Sequence, residues 1–139
     1  MIHLVRILLL LLATTVVHAQ EETTTIEVEI THIDNDEGQM LIGLYDSESN
    51  WLKKLYKGTF GVIEYGSSSA IFKDVPSGTY AISVFHDENN DGKLDTNFFG
   101  IPSEDTGSSN DAPAMFGPPK WEDAKFEVKG RTVKQVIQL

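Results

Sequence analysis

The sequence predicts an all-β fold: an antiparallel β-sandwich with one short helix and one long irregular loop. Apolar and polar residues alternate through seven short segments, which is the period of strands with one wet face. Turn-forming residues separate most of these segments. No repeat of about twenty residues or more is present, which argues against a solenoid or propeller. A small barrel is the alternative arrangement.

The elements follow in order. Thr25 to Ile33 alternates, with Ile26, Val28 and Ile30 on one face and Glu27, Glu29 and Thr31 on the other. Asp34-Asn35-Asp36-Glu37-Gly38 reads as a hairpin turn, and Gln39 to Tyr45 as the returning strand with Met40, Ile42 and Leu44. Within Ser47 to Lys57, Trp51, Leu52, Leu55 and Tyr56 fall at helical spacing, so a short helix or helical turn is expected there. Phe60 to Tyr65 and Ala70 to Val75 are strands separated by Gly66-Ser67-Ser68-Ser69, and Pro76-Ser77-Gly78 is a tight turn. In Thr79 to His86, Tyr80, Ile82, Val84 and His86 share a face. Asp87 to Pro119 has little pattern and holds four of the five prolines. Such long irregular stretches are uncommon inside a compact domain and are usually functional or mobile. Ala124 to Lys129 alternates again, Gly130-Arg131 turns, and Thr132 to Leu139 is the last strand.

The chain has 139 residues, enough for one domain with its own core. There is no cysteine, which removes disulfides, thiol catalysis, cysteine zinc sites and a lipidated cysteine anchor. A net charge of −10 argues against a nucleic-acid backbone as partner. Met1 to Ala19 reads as a secretory signal: Arg6 near the start, an apolar run from Ile7 to Leu12 extended to Val17, and Val17-His18-Ala19 at the cleavage site. A membrane span needs about twenty apolar residues, and His18 and Gln20 end the stretch too soon. Cleavage after Ala19 leaves residues 20–139 as a single sandwich domain, working in the periplasm or outside the cell, with no membrane span.

The strongest chemical signal is His86-Asp87-Glu88-Asn89-Asn90-Asp91-Gly92-Lys93-Leu94-Asp95, which contains D-x-N-x-D-G-x-x-D. Oxygen side chains at positions one, three, five and nine suit a hard cation such as calcium, with Gly92 permitting the sharp turn at position six. The expected ligands are Asp87, Asn89, Asp91, the Lys93 carbonyl and Asp95. Position twelve, where a bidentate glutamate normally completes the shell, is Phe98, and flanking helices are absent. Glu104, Asp105 or Asp111 are sources for a further ligand. A plain acidic turn is the competing reading, because Asn-Asp-Gly is a common hairpin turn.

Other constellations are weaker. His32 and His86 without cysteine make a poor zinc set. His86 beside Asp87 suits a general base or, more commonly, a strand-end residue. The serines lack the G-x-S-x-G context of a nucleophile elbow. No glycine-rich loop joins a strand to a helix, which excludes phosphate binding by that route. Asp34 and Asp36 read as solvated turn residues. Trp51, Tyr56, Phe116 and Trp121 are candidates for a sugar-binding platform, with packing the commoner use of such aromatics.

Phe72-Lys73-Asp74-Val75-Pro76-Ser77-Gly78-Thr79-Tyr80-Ala81-Ile82 runs into the acidic loop. Leu94-Asp95-Thr96-Asn97, Gly100-Ile101-Pro102-Ser103-Glu104, Gly107-Ser108-Ser109-Asn110 and Pro118 to Ala124 follow. In this order the blocks resemble an uncharacterised bacterial secreted family, domain of unknown function 2141, over about Ile26 to Leu139. Ser108 departs from its pattern, which has an aromatic before the serine. The family implies a fold and no activity. Val75, Pro76, Gly78 and Tyr80 are also similar, more loosely, to a turn of transthyretin-like and collagen-adhesin repeat sandwiches. There the glycine takes the turn geometry and the tyrosine packs back on the sandwich. That resemblance implies an immunoglobulin-like or prealbumin-like sandwich and leaves function open.

Two functional readings follow. One is an exported, non-enzymatic binding or envelope-associated module, stabilised by calcium, with a protein or glycan ligand. The other is a small envelope-acting hydrolase using His86 and the acidic loop.

Overall fold

The computed structural model describes residues 22–139. The signal expectation for Met1 to Ala19 lies outside the described residues. Among the described residues, two β-sheets face each other around one apolar core, so the sandwich rather than the barrel is formed. The strands are β1 (Thr23–Thr31), β2 (Gln39–Tyr45), β3 (Lys57–Gly61), β4 (Ile63–Glu64), β5 (Ser67–Pro76), β6 (Gly78–Asp87), β7 (Thr106–Ser108), β8 (Phe126–Val128) and β9 (Val133–Gln138). One sheet has the order β4-β5-β1-β9. The other has the order β3-β2-β6-β7, with β8 also pairing β6. One short helix, α1, spans Trp121–Ala124.

The alternation in the sequence sets the inner faces. Ile26, Val28 and Ile30 of β1 meet Met40, Ile42 and Leu44 of β2 and Tyr80, Ile82 and Val84 of β6 in a single cluster. Burying such side chains fully contributes roughly 1.5–3 kcal/mol each. His86 continues the inner face of β6 and is fully buried.

Several connections differ from expectation. Gln39–Tyr45 does not return beside β1: the 34–38 turn carries the chain to the opposite sheet, where β2 pairs β3 and β6. β1 pairs β5 antiparallel and β9 parallel, so one pair of this otherwise antiparallel sandwich is parallel. Phe60 to Tyr65 is not one strand. Phe60 belongs to β3 in one sheet and Ile63 to β4 in the other, so the chain changes sheets at Val62. The 66–69 turn is tighter than expected. Tyr65 and Gly66 both take positive φ, the geometry of a two-residue hairpin, and β5 begins at Ser67.

The helix expected over Ser47 to Lys57 is reduced to a 3-10 turn at Glu48–Asn50. Leu52 takes φ 56°, a left-handed conformation that ends any helix, and Lys57 already pairs in β3. The helical spacing arises from separate jobs. Trp51 packs on the outer face of the second sheet beside Ala81, Trp121 and Ala124, while the Leu55 side chain lies over Gly43. At the other end, Ala124 closes α1 and the strand starts only at Phe126.

The resemblance-based role of Gly78 is also corrected. Gly78 has no positive φ; the left-handed residue nearby is Asp74, at φ 55°. A Cβ on Gly78 would sit 3.3 Å from the Tyr80 ring, so this glycine makes room for the tyrosine rather than shaping the turn. Tyr80 does pack back as implied, 5% exposed, with its hydroxyl donating to the Pro76 carbonyl at 2.9 Å.

Candidate functional site: the acidic loop and its hairpin

β6 ends at Asp87, and the 88–105 segment leaves the sandwich there. Asp87 is fully buried and its carboxylate organises the loop. One oxygen accepts the Asp91 N–H at 3.1 Å; the other accepts the Gly92 N–H and the Gln39 side-chain amide, each at 2.9 Å. Burial by itself would raise the Asp87 carboxyl. The Gln39 amide and the N–H groups of Gly92, Asp91 and Asn90 outweigh that and hold it below the ordinary carboxylate value. Asn89 Oδ1 accepts the Asp91 N–H and Asp91 Oδ1 accepts the Lys93 N–H, at 3.1 and 2.8 Å. The Asn89 amide donates to Asp95 at 2.7 Å. Gly92 takes φ 76°, which is why a glycine stands at the turn.

The sequence-predicted ligands Asp87, Asn89, Asp91, Lys93 and Asp95 therefore lie on one curled loop. Among the described residues, no three His, Cys, Asp or Glu side chains are gathered into a group that would hold a metal by themselves. Of the three further acids, Glu104 is the one tied to the loop. Its two oxygens accept the Glu88 N–H at 3.1 Å and the Asp95 N–H at 3.0 Å, bracing both arms. Asp105 joins through its backbone, whose carbonyl accepts the His86 N–H. Asp111 is elsewhere: its carboxylate accepts the Gln138 N–H at the end of β9. Phe98, at position twelve, is 97% exposed.

Beyond the loop proper, Asp95 to Ser103 forms a short hairpin. Thr96 bridges Pro102, the Ser103 N–H donates to the Asp95 carbonyl, and the Asn97 N–H to the Ile101 carbonyl. Asn97 Oδ1 accepts the N–H groups of Phe99 and Ile101. The tip carries Phe98, Phe99 and Ile101, all exposed.

His86 offers no accessible surface, and its Nε2 lies 2.6 Å from the Glu37 carbonyl. With Nε2 donating to that carbonyl, Nδ1 is left facing Glu88 at 3.8 Å, beyond hydrogen-bond reach. The aromatic residues do not form a shared platform. Trp51 and Trp121 are buried against each other, ring centroids 6.0 Å apart, and the Trp51 indole N–H donates to the Pro119 carbonyl. Tyr56 packs instead on Tyr80, and Phe116 is fully exposed.

Sequence reasoning missed several supports. Gln39 reads as an ordinary strand residue, yet holds Asp87 across the β2–β6 pairing. Asp36 is more than a solvated turn residue: its carboxylate accepts the N–H groups of Tyr65 and Gly66 and fixes that hairpin. Ser109 accepts the Ile82 N–H and donates to the Ala124 carbonyl, stitching β6 to α1. Asn110, also in the Gly107-Ser108-Ser109-Asn110 block, donates to the Asp123 and Lys125 carbonyls. Asparagine tolerance of left-handed backbone, φ 59° at Asn110, was a usable signal.

These features define a β-sandwich with a braced acidic loop at the end of an interior strand. The chain belongs to the family described as uncharacterised proteins conserved in bacteria, domain of unknown function 2141, whose model matches residues 28–136. No curated protein and no solved structure matches the chain.

Proposed function

We propose that the protein is an exported, non-enzymatic binding module of the bacterial envelope, and that its Asp87 to Asp95 loop takes up one calcium ion. The carrying observation is the loop's curl. Oxygens of Asp87, Asn89 and Asp91 accept backbone N–H groups two to five residues ahead, which turns the chain about Gly92. The Asp91 and Asp95 carboxylates retain lone pairs beyond those bonds, whereas the Asp87 carboxylate, with four donors on it, would exchange some of them for the cation. Asp87, Asn89, Asp91, the Lys93 carbonyl and Asp95 would supply oxygen ligands of the kind calcium takes, with Glu104 beside them.

The buried state of His86 favours this module over a hydrolase. A general base must come within hydrogen-bond reach of the proton it takes, and here the ring is enclosed with Nε2 on the Glu37 carbonyl. Trp51 and Trp121 are committed to packing and offer no stacking face for a sugar, which leaves a protein ligand as the preferred reading.

The export half of the proposal is tested by expressing the full chain in a bacterial host and sequencing the N-terminus of the exported fraction. Gln20 as first residue is the expected result. Protein retained in the cytoplasm with Met1 intact rejects it.

A further inference from the structure

The outer faces of the two sheets differ. That of the first sheet carries charge, with Glu27, Glu29 and Lys134 on β1 and β9 and an ion pair between Lys134 and Glu29. An antiparallel sheet with one face in water ordinarily carries polar residues on that face. The second sheet does not follow this rule. Part of its outer face is covered by Trp51, Trp121 and Ala124. The rest is a half-open groove of about 340 Å³ whose lining holds no charged residue, although 23% of the chain is charged.

Strand register builds this groove row by row. Phe60, Leu41 and Phe85 stand opposite one another across β3, β2 and β6 and form one wall. Two residues further along β2 the row is Gly58, Gly43 and Ser83, a floor almost without side chains. Leu55 and Tyr45 form the other wall. Leu55 reaches over Gly43 and Gly58, and a Cβ on either glycine would press on it. The Tyr45 ring is held edge-on against Trp51, centroids 5.0 Å apart. It leans back over the floor, its hydroxyl 3.5 Å from where a Gly43 Cβ would stand. Leu52, at φ 56°, opens the 52–56 segment that carries Leu55, a backbone conformation a leucine keeps only where its surroundings hold it.

Shape, polarity and charge select the occupant. The volume falls at the lower end of the range for small-molecule sites, about 300–1,000 Å³. A glycine floor below phenylalanine and leucine walls is reached by a small molecule, whereas a flat protein face would rest on the walls. The lining is apolar apart from its hydroxyls. That of Thr59 donates to the Phe60 carbonyl, but those of Tyr45 and Ser83 have no hydrogen-bond partner among the described residues. Burial raises the Tyr45 phenol above its ordinary value, so it stays a protonated donor. A carboxylate would shed its hydration in an uncharged groove on a chain that carries −10, which selects against an anion. We propose that this groove binds an uncharged, largely apolar small molecule with one hydroxyl or carbonyl group, of the medium-chain alcohol class. Its polar group meets Tyr45 and Ser83, and its hydrocarbon lies between Phe60, Phe85 and Leu55. The site is separate from the Asp87 to Asp95 loop and goes beyond the calcium reading, so it is tested in chelator.

The probe is N-phenylnaphthylamine, an uncharged dye that brightens in apolar surroundings, titrated into the protein purified as the cell processes it. The expected result is a saturable rise in emission at one dye per chain. Decanol should reverse it at a concentration about tenfold or more below that needed of decanoate. Tyr45→Phe should weaken decanol about fivefold through loss of one hydrogen bond. Ser83→Leu fills the floor and should abolish the dye signal. Phe60→Ala removes one wall at a residue that is 63% exposed and should weaken dye binding severalfold. Circular dichroism and melting temperature are checked first, and Phe60→Ala decides the matter if Ser83→Leu does not fold. Absence of a saturable rise overturns the proposal, as does a rise that Phe60→Ala and Ser83→Leu leave unchanged. Decanoate displacing the dye as well as decanol overturns it, and so does decanol acting equally on Tyr45→Phe and wild type. A concentration-dependent dimer, seen by sedimentation equilibrium and lost in Ser83→Leu or Phe60→Ala, also overturns it and assigns the face to a second copy.

Discussion

The Gly92 N–H donates to the Asp87 carboxylate at 2.9 Å, closing the acidic loop onto the last residue of β6. Asp87 is buried, yet stays ionised more readily than an ordinary aspartate, because burial is outweighed by the Gln39 amide and three backbone N–H groups. The sign of the pH dependence follows. A folded-state pKa below the unfolded value, near 3.9, gives stability that is present above that pH and lost as pH falls through the folded value. In chelator, the urea midpoint of the wild type should therefore fall on acidification below about pH 4, and Asp87→Asn should show a shallower fall. Identical acid limbs would remove Asp87 from this role.

Gly38 makes the approach to Asp87 possible. It takes φ 69°, and a Cβ there would overlap the Asp87 carbonyl oxygen and lie 2.7 Å from Glu88 Cα. Gly38→Ala is expected to destabilise by about 1–3 kcal/mol from the backbone conformation alone, with the clash adding to it. Gly92→Ala meets no atom within 4 Å, so only its φ of 76° opposes the change. Urea unfolding should place Gly38→Ala well below Gly92→Ala. The reverse order would mean that the 34–38 turn does not press on the base of the loop.

Tyr80 ties the β5–β6 corner. Its ring joins the main core, 5% exposed, and its hydroxyl bonds the Pro76 carbonyl four residues back. Tyr80→Ala should cost about 3–5 kcal/mol, and Tyr80→Phe about 1 kcal/mol. Denaturant titration of the two variants separates the ring from the hydroxyl. A neutral Tyr80→Ala would show that the core does not depend on this corner.

Much of the fold is legible in local alternation. Ile26, Val28 and Ile30, and again Tyr80, Ile82, Val84 and His86, face inward as their spacing predicts. Alternation specifies a strand's inner face but not its neighbour. A turn that continues a hairpin and a turn that crosses to the opposite sheet have similar composition, so the separation of β1 from β2 was invisible. The sheet change at Val62 was hidden for a related reason: Gly61 is the one breaker beside it, and the inward residues Gly61 and Ile63 keep the alternation going. Val75 follows Phe72 into the core three residues later rather than two, because a bulge containing left-handed Asp74 interrupts β5. At the loop, oxygen spacing and Gly92 were readable from composition. The contributions of Gln39, Gly38 and Glu104 were not, since each depends on a partner distant in sequence.

Thermal melting in calcium against chelator decides whether Asp87, Asn89, Asp91, the Lys93 carbonyl and Asp95 bind calcium as proposed. Without a glutamate at position twelve, affinity should be weak, on the order of 10⁻⁴ M. At ten times that concentration binding stabilises the fold by about 1.4 kcal/mol, which raises the melting temperature by roughly 4–7 °C. Asp91→Ala and Asp95→Asn should remove most of that rise, while Asp34→Ala, in the turn between β1 and β2, should keep it. Equal melting temperatures in millimolar calcium and in chelator would rule out the site and leave the loop as an acidic turn braced by its own backbone.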